Sequence, residues 1–91
     1  MHTFILNTLA CFEKDVEYLS SPNNELNTAS AETAISCQKL CLQIHDCAIF
    51  IWNADNKVCK LLKVDTKNID RVENTGMISG PPMCQGNVVM Y

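Results

Sequence analysis

Six cysteines in a chain of 91 residues are the feature that most constrains its fold. They stand at Cys11, Cys37, Cys41, Cys47, Cys59 and Cys84. A chain this short buries only a small core, and small domains with an even number of cysteines commonly rely on disulfides formed in an oxidising compartment. The sequence therefore predicts a single domain held by three disulfides, in a secreted or extracellular setting.

Metal binding and redox catalysis are the two other uses of cysteine that the spacing has to be tested against. Three thiols and the imidazole of His45 lie close together between Cys37 and Cys47, but the nearest thiols are spaced C-x3-C. Zinc modules favour C-x2-C knuckles, and a zinc site here would leave the other three cysteines unexplained. The C-x-x-C motif of thioredoxin-like sites is absent. We therefore expect no metal and no cofactor.

The pairing of the cysteines stays open at this level, because sequence alone does not choose among the possible pairings. Cys37 and Cys41 are four residues apart, so on a helix they would share a face and could not bond each other without distorting that helix. Cys41 and Cys47 can close a short loop, and Cys37 can then reach Cys59 on a following strand. The remaining two cysteines would join the ends of the domain.

One amphipathic helix is predicted between Ala31 and Ile44. Apolar residues recur there at the spacing of one helical face, and the polar residues between them would face water. Ser30 precedes this segment and is the predicted N-cap, since a serine hydroxyl can accept a hydrogen bond from the first turn.

The rest of the chain predicts an antiparallel β-sheet. Strands are expected at residues 11–20, 48–52, 58–64 and 76–80, whereas the polar residues 20–30 and the charged residues 65–75 are expected to be loops. Residues 48–64 predict a β-hairpin, in which Lys60 lies on the opposite face from Cys59. The predicted fold class is therefore α+β, with a single amphipathic helix packed on an antiparallel β-sheet.

The cysteine order resembles the PAN/apple module. The resemblance is carried by the pattern C-x3-C-x5-C-A-x-F-x-W-x6-C-x-L, which runs from Cys37 to Leu61. It extends over residues 11–84, with residues 1–10 as a linker or expression-derived N-terminus and residues 85–91 as a tail or linker. The resemblance implies the PAN/apple fold and three disulfides, which are Cys11–Cys84, Cys37–Cys59 and Cys41–Cys47.

The segment GMISGPPMC, residues 76–84, is similar to the end of apple repeats in apicomplexan microneme proteins. Those proteins carry tandem apple domains and are secreted through the microneme, a secretory organelle, during host-cell attachment and invasion. The resemblance implies an extracellular adhesion module that binds protein, as one repeat of a larger chain. Two alternatives stay open, which are a galactose-type lectin that binds host-surface glycan and a repeat that acts only as a spacer.

Composition and cysteine usage argue against several other functions. The net charge is −3 and the pI is near 5.1, whereas nucleic acid and anionic membranes select basic surfaces. No apolar run approaches the ~20 residues that cross a bilayer, so we expect no membrane insertion. Because every cysteine is assigned to a bridge, none remains as a nucleophile, and we expect no enzymatic activity.

The polar residues in and after the hairpin turn are the candidate ligand-binding residues. They are Asn53, Asp55, Asn56, Lys57, Lys60 and Lys63. The candidate surface is the sheet face opposite the helix together with its loops, although a mixed, solvated surface is the simpler interpretation of these charges. Tyr18 and Trp52 are the aromatic side chains on which a sugar could stack, but Trp52 lies in an apolar run and is expected in the core.

Overall fold

The structure, a computed structural model, describes residues 11–19, 22–63 and 70–84. It contains β1 (Glu13–Leu19), β2 (Glu25–Ser30), α1 (Ala34–Gln43), β3 (Ile49–Asn53), β4 (Val58–Leu62) and β5 (Asp70–Gly80). A short 3-10 turn, Pro22–Asn24, leads into β2. The linker and tail expected at residues 1–10 and 85–91 lie outside the described residues.

All five strands form one antiparallel sheet in the order β1-β5-β3-β4-β2, and α1 packs across one face of it. The hairpin β3–β4 and the long strand β5 occupy the centre, so the residues that contact α1 come mostly from β3 and β4. The predicted α+β class, with one helix on an antiparallel sheet, is confirmed.

The prediction of a loop at residues 20–30 is wrong for the second half of this segment, which forms the edge strand β2. Glu25–Ser30 pairs with β4, and only Leu26 and Ala29 of its six residues are partly buried. An edge strand with so little burial needs few apolar side chains. Its sequence therefore lacked the alternation that marks a half-buried strand.

The charged loop expected at residues 65–75 is also wrong over its described part. Residues 70–75 belong to β5, where residues 70–73 pair with β1, and the stretch exposes most of its side chains. β5 therefore reaches well beyond the short strand expected at residues 76–80. Its outer half pairs only with β1 and is solvated, so its charged composition is compatible with a strand.

The helix begins three residues later than predicted, at Ala34, with Thr33 rather than Ser30 as its N-cap. The Thr33 hydroxyl accepts a hydrogen bond from the Ser36 backbone N–H at 3.0 Å. Ser30 is held in β2 opposite Val58, so it is not free to start a helix. Pairing between strands therefore determined where the helix begins.

We expect Thr33→Ala to lower the free energy of unfolding by about 1 kcal/mol, because the first helical turn loses its side-chain acceptor. Thr33→Ser keeps the hydroxyl and should cost much less. Ser30→Ala, at the position that the sequence predicted as the cap, should change stability by less than about 0.5 kcal/mol. Denaturant titration followed by circular dichroism measures all three, and equal losses at both positions would contradict this assignment.

The core lies between α1 and the sheet and contains two of the three disulfides. Phe50 and Leu61 are fully buried there, and the Phe12 and Phe50 rings pack edge to face with centroids 5.4 Å apart. The bonds are Cys37–Cys59, Cys41–Cys47 and Cys11–Cys84, the pairs that the resemblance implies. Cys37–Cys59 fixes the helix to β4, and Cys41–Cys47 fixes its last turns to the segment before β3.

Candidate functional site

The sheet face opposite α1 carries a cleft of about 250 Å³. Side chains alternate along a strand, so burial of Trp52 and Cys59 against α1 places their neighbours Ile51 and Lys60 on the opposite face. Ile51 and Lys60 are direct partners across β3 and β4. The same alternation that builds the core therefore also builds the cleft.

The cleft has an apolar part and a polar part, contributed by four strands and one turn. Its apolar lining is Ile51, Val58 and Met77. Its polar lining is Glu17, Asn53, Asn56, Lys60 and Asn74. Such a combination, with hydrogen-bonding groups around an apolar floor, is typical of a binding site.

The turn between β3 and β4 fixes the orientation of the two asparagines that line the cleft. The Asn53 side-chain oxygen accepts from the backbone N–H groups of Asp55 and Asn56, at 2.8 and 3.3 Å. The Asn56 side-chain oxygen accepts from the Val58 N–H at 3.0 Å. With both oxygens held by the turn, the amide NH2 groups of Asn53 and Asn56 are left to meet a ligand.

The opposite side of the cleft is formed by β1 and β5. The Asn74 amide nitrogen donates to a carboxylate oxygen of Glu17 at 2.5 Å. The second carboxylate oxygen of Glu17 and the side-chain carbonyl oxygen of Asn74 have no further hydrogen-bond partner in the described residues. The β1–β5 side of the cleft therefore presents mainly hydrogen-bond acceptors to a ligand.

Gly76 is the residue of β5 at the rim of the cleft that forms hydrogen bonds both to β1 and to the turn between β3 and β4. Its N–H donates to the Asp15 carboxylate at 3.0 Å, and its carbonyl accepts from the Ala54 N–H at 2.9 Å. The pairing of β1 with β5 shifts register between Lys14 and Val16, and Gly76 has a φ of +92°, which favours glycine. Pairing of Met77 with Asn53 of β3 places this part of β5 beside the hairpin.

The structure brings three of the six candidate ligand residues into the cleft, and these are Asn53, Asn56 and Lys60. Asp55 is exposed on the turn, and Lys63 is exposed just after β4. Lys57 lies toward the helix side, where its ammonium is 5.6 Å from the Trp52 ring centroid and 3.4 Å from the Glu32 carbonyl oxygen.

Sequence reasoning missed Glu17, Asn74 and Met77 as members of this site. Glu17 is one of several charged residues in the predicted first strand, and Asn74 lies in a segment that the sequence predicts to be a loop. Nothing in the local sequence marks either residue, because the pairing of β1 with β5 is what brings them beside the hairpin. The pattern of polar residues within one strand does not show which other strand lies beside it.

Trp52 is in the core, as expected, and is not available as a platform for a sugar. It is 7% exposed, and its indole N–H donates to the Ala31 carbonyl oxygen at 2.8 Å. Tyr18 is partly buried on β1 and does not line the cleft. The cleft therefore offers amides, a carboxylate and an ammonium instead of an aromatic ring.

Tyr18 belongs to a separate polar network on β1 and β5. Its hydroxyl donates to Glu13, and Arg71 pairs with the same carboxylate at 2.9 Å. Partial burial, together with the hydrogen bond and the charge of Glu13, raises the pKa of Tyr18 above its usual value. Tyr18 therefore stays neutral throughout the physiological range, and the network links the edge strand β1 to β5.

No group of three or more His, Cys, Asp or Glu side chains in residues 11–19, 22–63 and 70–84 is arranged to hold a metal ion. No helix within these described residues has the length and apolarity that a membrane crossing requires.

Comparison with known proteins assigns the chain to a family. A family model of the PAN domain matches residues 11–84. Among solved structures, the chain is similar to the solution structure of the two N-terminal apple domains of Toxoplasma gondii microneme protein 4, with a TM-score of 0.63 and 25% identity. The match covers 79% of this chain and 44% of that chain.

Among curated protein sequences, none matches the chain. The family model nevertheless covers most of it, from the first to the last cysteine. The described structure agrees, because one helix lies on a five-stranded antiparallel sheet with three disulfides. The chain belongs to the PAN domain family and has the PAN/apple fold.

Proposed function

We propose that this PAN/apple domain is an extracellular adhesion module that binds a protein partner. In this proposal it is one repeat of a larger secreted microneme protein that acts in host-cell attachment and invasion. The observation that carries the proposal is the match of residues 11–84 to the PAN family, together with the likeness to the apple domains of a microneme protein. PAN/apple domains act as binding modules, so binding rather than catalysis is the expected activity.

The cleft and its β4 side are the surface that we assign to partner binding. Lys60 lines the cleft, and Lys63 is exposed just after β4. Lys60 is near Glu25, at 3.7 Å between charged atoms, and both side chains are partly exposed. Such a pair is weak, so the ammonium can be redirected to a partner with little loss of stability.

The charge-reversal variant Lys60→Glu/Lys63→Glu should weaken binding to host cells or to a captured partner by about tenfold or more, since charge pairs at an interface become repulsive. Its melting temperature should stay close to that of the wild type. Flow cytometry with the labelled, oxidised domain and a thermal melt measure the two effects.

Lys39→Glu is the matched control for that experiment, because Lys39 is exposed on α1, away from the cleft. It changes the net charge in the same direction as the variant but should leave binding unchanged. If the double reversal binds as tightly as the wild type, the proposed surface is wrong. If the wild-type domain binds no cell and no protein, a spacer role replaces adhesion.

A galactose-type lectin is the second candidate function, favoured by the carboxamides and carboxylate that meet around the apolar floor of the cleft. A glycan array tests it directly. In Asn53→Asp the turn keeps its side-chain acceptor while the amide donor is lost, so a selective glycan signal that disappears in this variant would support a lectin. Asn56→Ala removes both the donor and the turn acceptor and serves as the stronger variant.

A further inference from the structure

The two sides of the cleft differ in hydrogen-bonding character, and internal hydrogen bonds fix that difference. On the hairpin side, Asn53 and Asn56 use their oxygens in the turn and present NH2 groups, next to the Lys60 ammonium. On the β1–β5 side, Glu17 and Asn74 bond each other and present two oxygens together with the second amide hydrogen of Asn74. A flip of either hairpin asparagine would set its NH2 group against a backbone N–H, so donors and acceptors stay on separate sides.

Formal charge follows the same division. The acceptor side carries the Glu17 carboxylate with Asp15 at its rim, whereas Asp55 lies on the hairpin turn close to Gly76, where the two sides meet. The donor side carries Lys60, whose contact with Glu25 is long and partly exposed. One side of the cleft therefore favours a cation and the other favours an anion.

The floor between the two sides is apolar, and the distance across it suits an extended chain. Ile51, Met77 and Val58 form this floor. From β1 to β4 the sheet spans three strand spacings of about 4.8 Å each, or roughly 14 Å, and Glu17 lies four residues further along β1 than Glu13, which stands in the same row as Lys60. In an extended peptide, side chains at positions i, i+2 and i+4 point the same way and span roughly 14 Å, and long charged side chains at the two ends add reach along the strands.

We propose that the cleft binds an extended peptide segment of the partner with the pattern basic-x-aliphatic-x-acidic. The basic side chain meets Glu17, the aliphatic side chain covers the floor, and the acidic side chain meets Lys60 and the asparagine amides. This inference rests on the proposed adhesion function and names the chemistry of the partner. Sugar hydroxyls both donate and accept, so they gain little from the separation of donors and acceptors, whereas opposite charges gain from it directly.

The test is an NMR titration of the 15N-labelled, oxidised domain with three capped pentapeptides at low salt. The first is acetyl-Lys-Ser-Val-Ser-Glu-amide, and the other two carry lysine at both ends or glutamate at both ends. We expect the mixed peptide to bind about tenfold more tightly than either single-sign peptide, with shifts centred on Asn56, Val58 and Asn74.

Two single substitutions should switch this preference, which a merely unfolded variant could not do. In Glu17→Lys both sides are positive, so the peptide with two glutamates should bind best. In Lys60→Glu both sides are negative, so the peptide with two lysines should bind best. Lys39→Glu, on the outer face of α1, should keep the preference of the wild type.

Equal affinity for all three peptides, or preferences that do not change in the two variants, would overturn this inference. So would binding of methyl β-galactoside at the same residues when no peptide binds, an outcome that favours the lectin. A domain that adheres to host cells but ignores all three peptides also overturns it, while the adhesion function stands.

Discussion

Replacing Cys37 and Cys59 together with alanine is expected to lower the free energy of unfolding by about 3 kcal/mol or more. The bond closes a loop with a sequence separation of 22 residues, and loss of that closure alone accounts for about 3 kcal/mol in the loop-entropy model. Both side chains are 0% exposed, so truncation also leaves a small void in the core. A loss of this size approaches the whole stability of many small domains.

The Cys41→Ala/Cys47→Ala variant is the matched comparison, because that bond also fixes α1 but closes a loop with a separation of only 6 residues. Its expected loss is about 2 kcal/mol in the same model. Denaturant titrations of the two variants and the wild type, with intact mass to verify the remaining bonds, give both numbers. If the variant lacking Cys37–Cys59 were as stable as the wild type, the helix would not depend on this link to β4.

Trp52→Ala is expected to cost about 3–5 kcal/mol, the second large effect, because it removes the largest aromatic side chain of the core. The indole also bonds the backbone at Ala31, in the segment between β2 and α1. Truncation should therefore destabilise the start of the helix as well as the packing under it. The expected result is a domain that is largely unfolded at 37 °C, even with its disulfides formed.

Trp52→Phe separates the two contributions of this side chain. It keeps most of the aromatic packing but leaves the buried Ala31 carbonyl without its donor, which should cost about 1–3 kcal/mol. Urea titration by far-ultraviolet circular dichroism measures both variants, since Trp52 is the only tryptophan and its fluorescence is lost with it. Equal stability of Trp52→Ala and the wild type would place this residue outside the core.

The helix shows how far local sequence patterns go in this protein. The apolar spacing around Cys37 and Cys41 correctly gave one amphipathic helix, because that spacing reflects the face that is buried on the sheet. It gave the wrong cap, since Ser30 has the right side chain but is held by β4 in the sheet. Choosing between two hydroxyl residues required the strand pairing, which no local window contains.

The two missed strand segments have a related cause. β2 and the outer half of β5 lie toward the two edges of the sheet and expose most of their side chains. Polar residues are as compatible with an exposed edge of a sheet as they are with a loop. Backbone pairing, not side-chain burial, makes them strands, and composition does not record that pairing.

The candidate site divides in the same way. Asn53, Asn56 and Lys60 could be singled out because they are close together in the sequence, around one turn and one strand. Glu17 and Asn74 could not, because they are far from that turn along the chain and join it only through the order of the strands. The separation of donors and acceptors in the cleft could not be predicted either. It depends on hydrogen bonds in the β3–β4 turn that occupy the side-chain oxygens of Asn53 and Asn56.

The sequence by itself determined the disulfide-stapled character of this protein, its α+β class and its resemblance to the PAN/apple module. Cysteine count, cysteine order and the apolar spacing of the helix and hairpin are local or countable, so they can be read without coordinates. Only the tertiary structure decided the sheet order, the helix start and the cleft opposite the helix. Those depend on which strands lie side by side, and three of the four strand pairings join segments that are far apart in the chain.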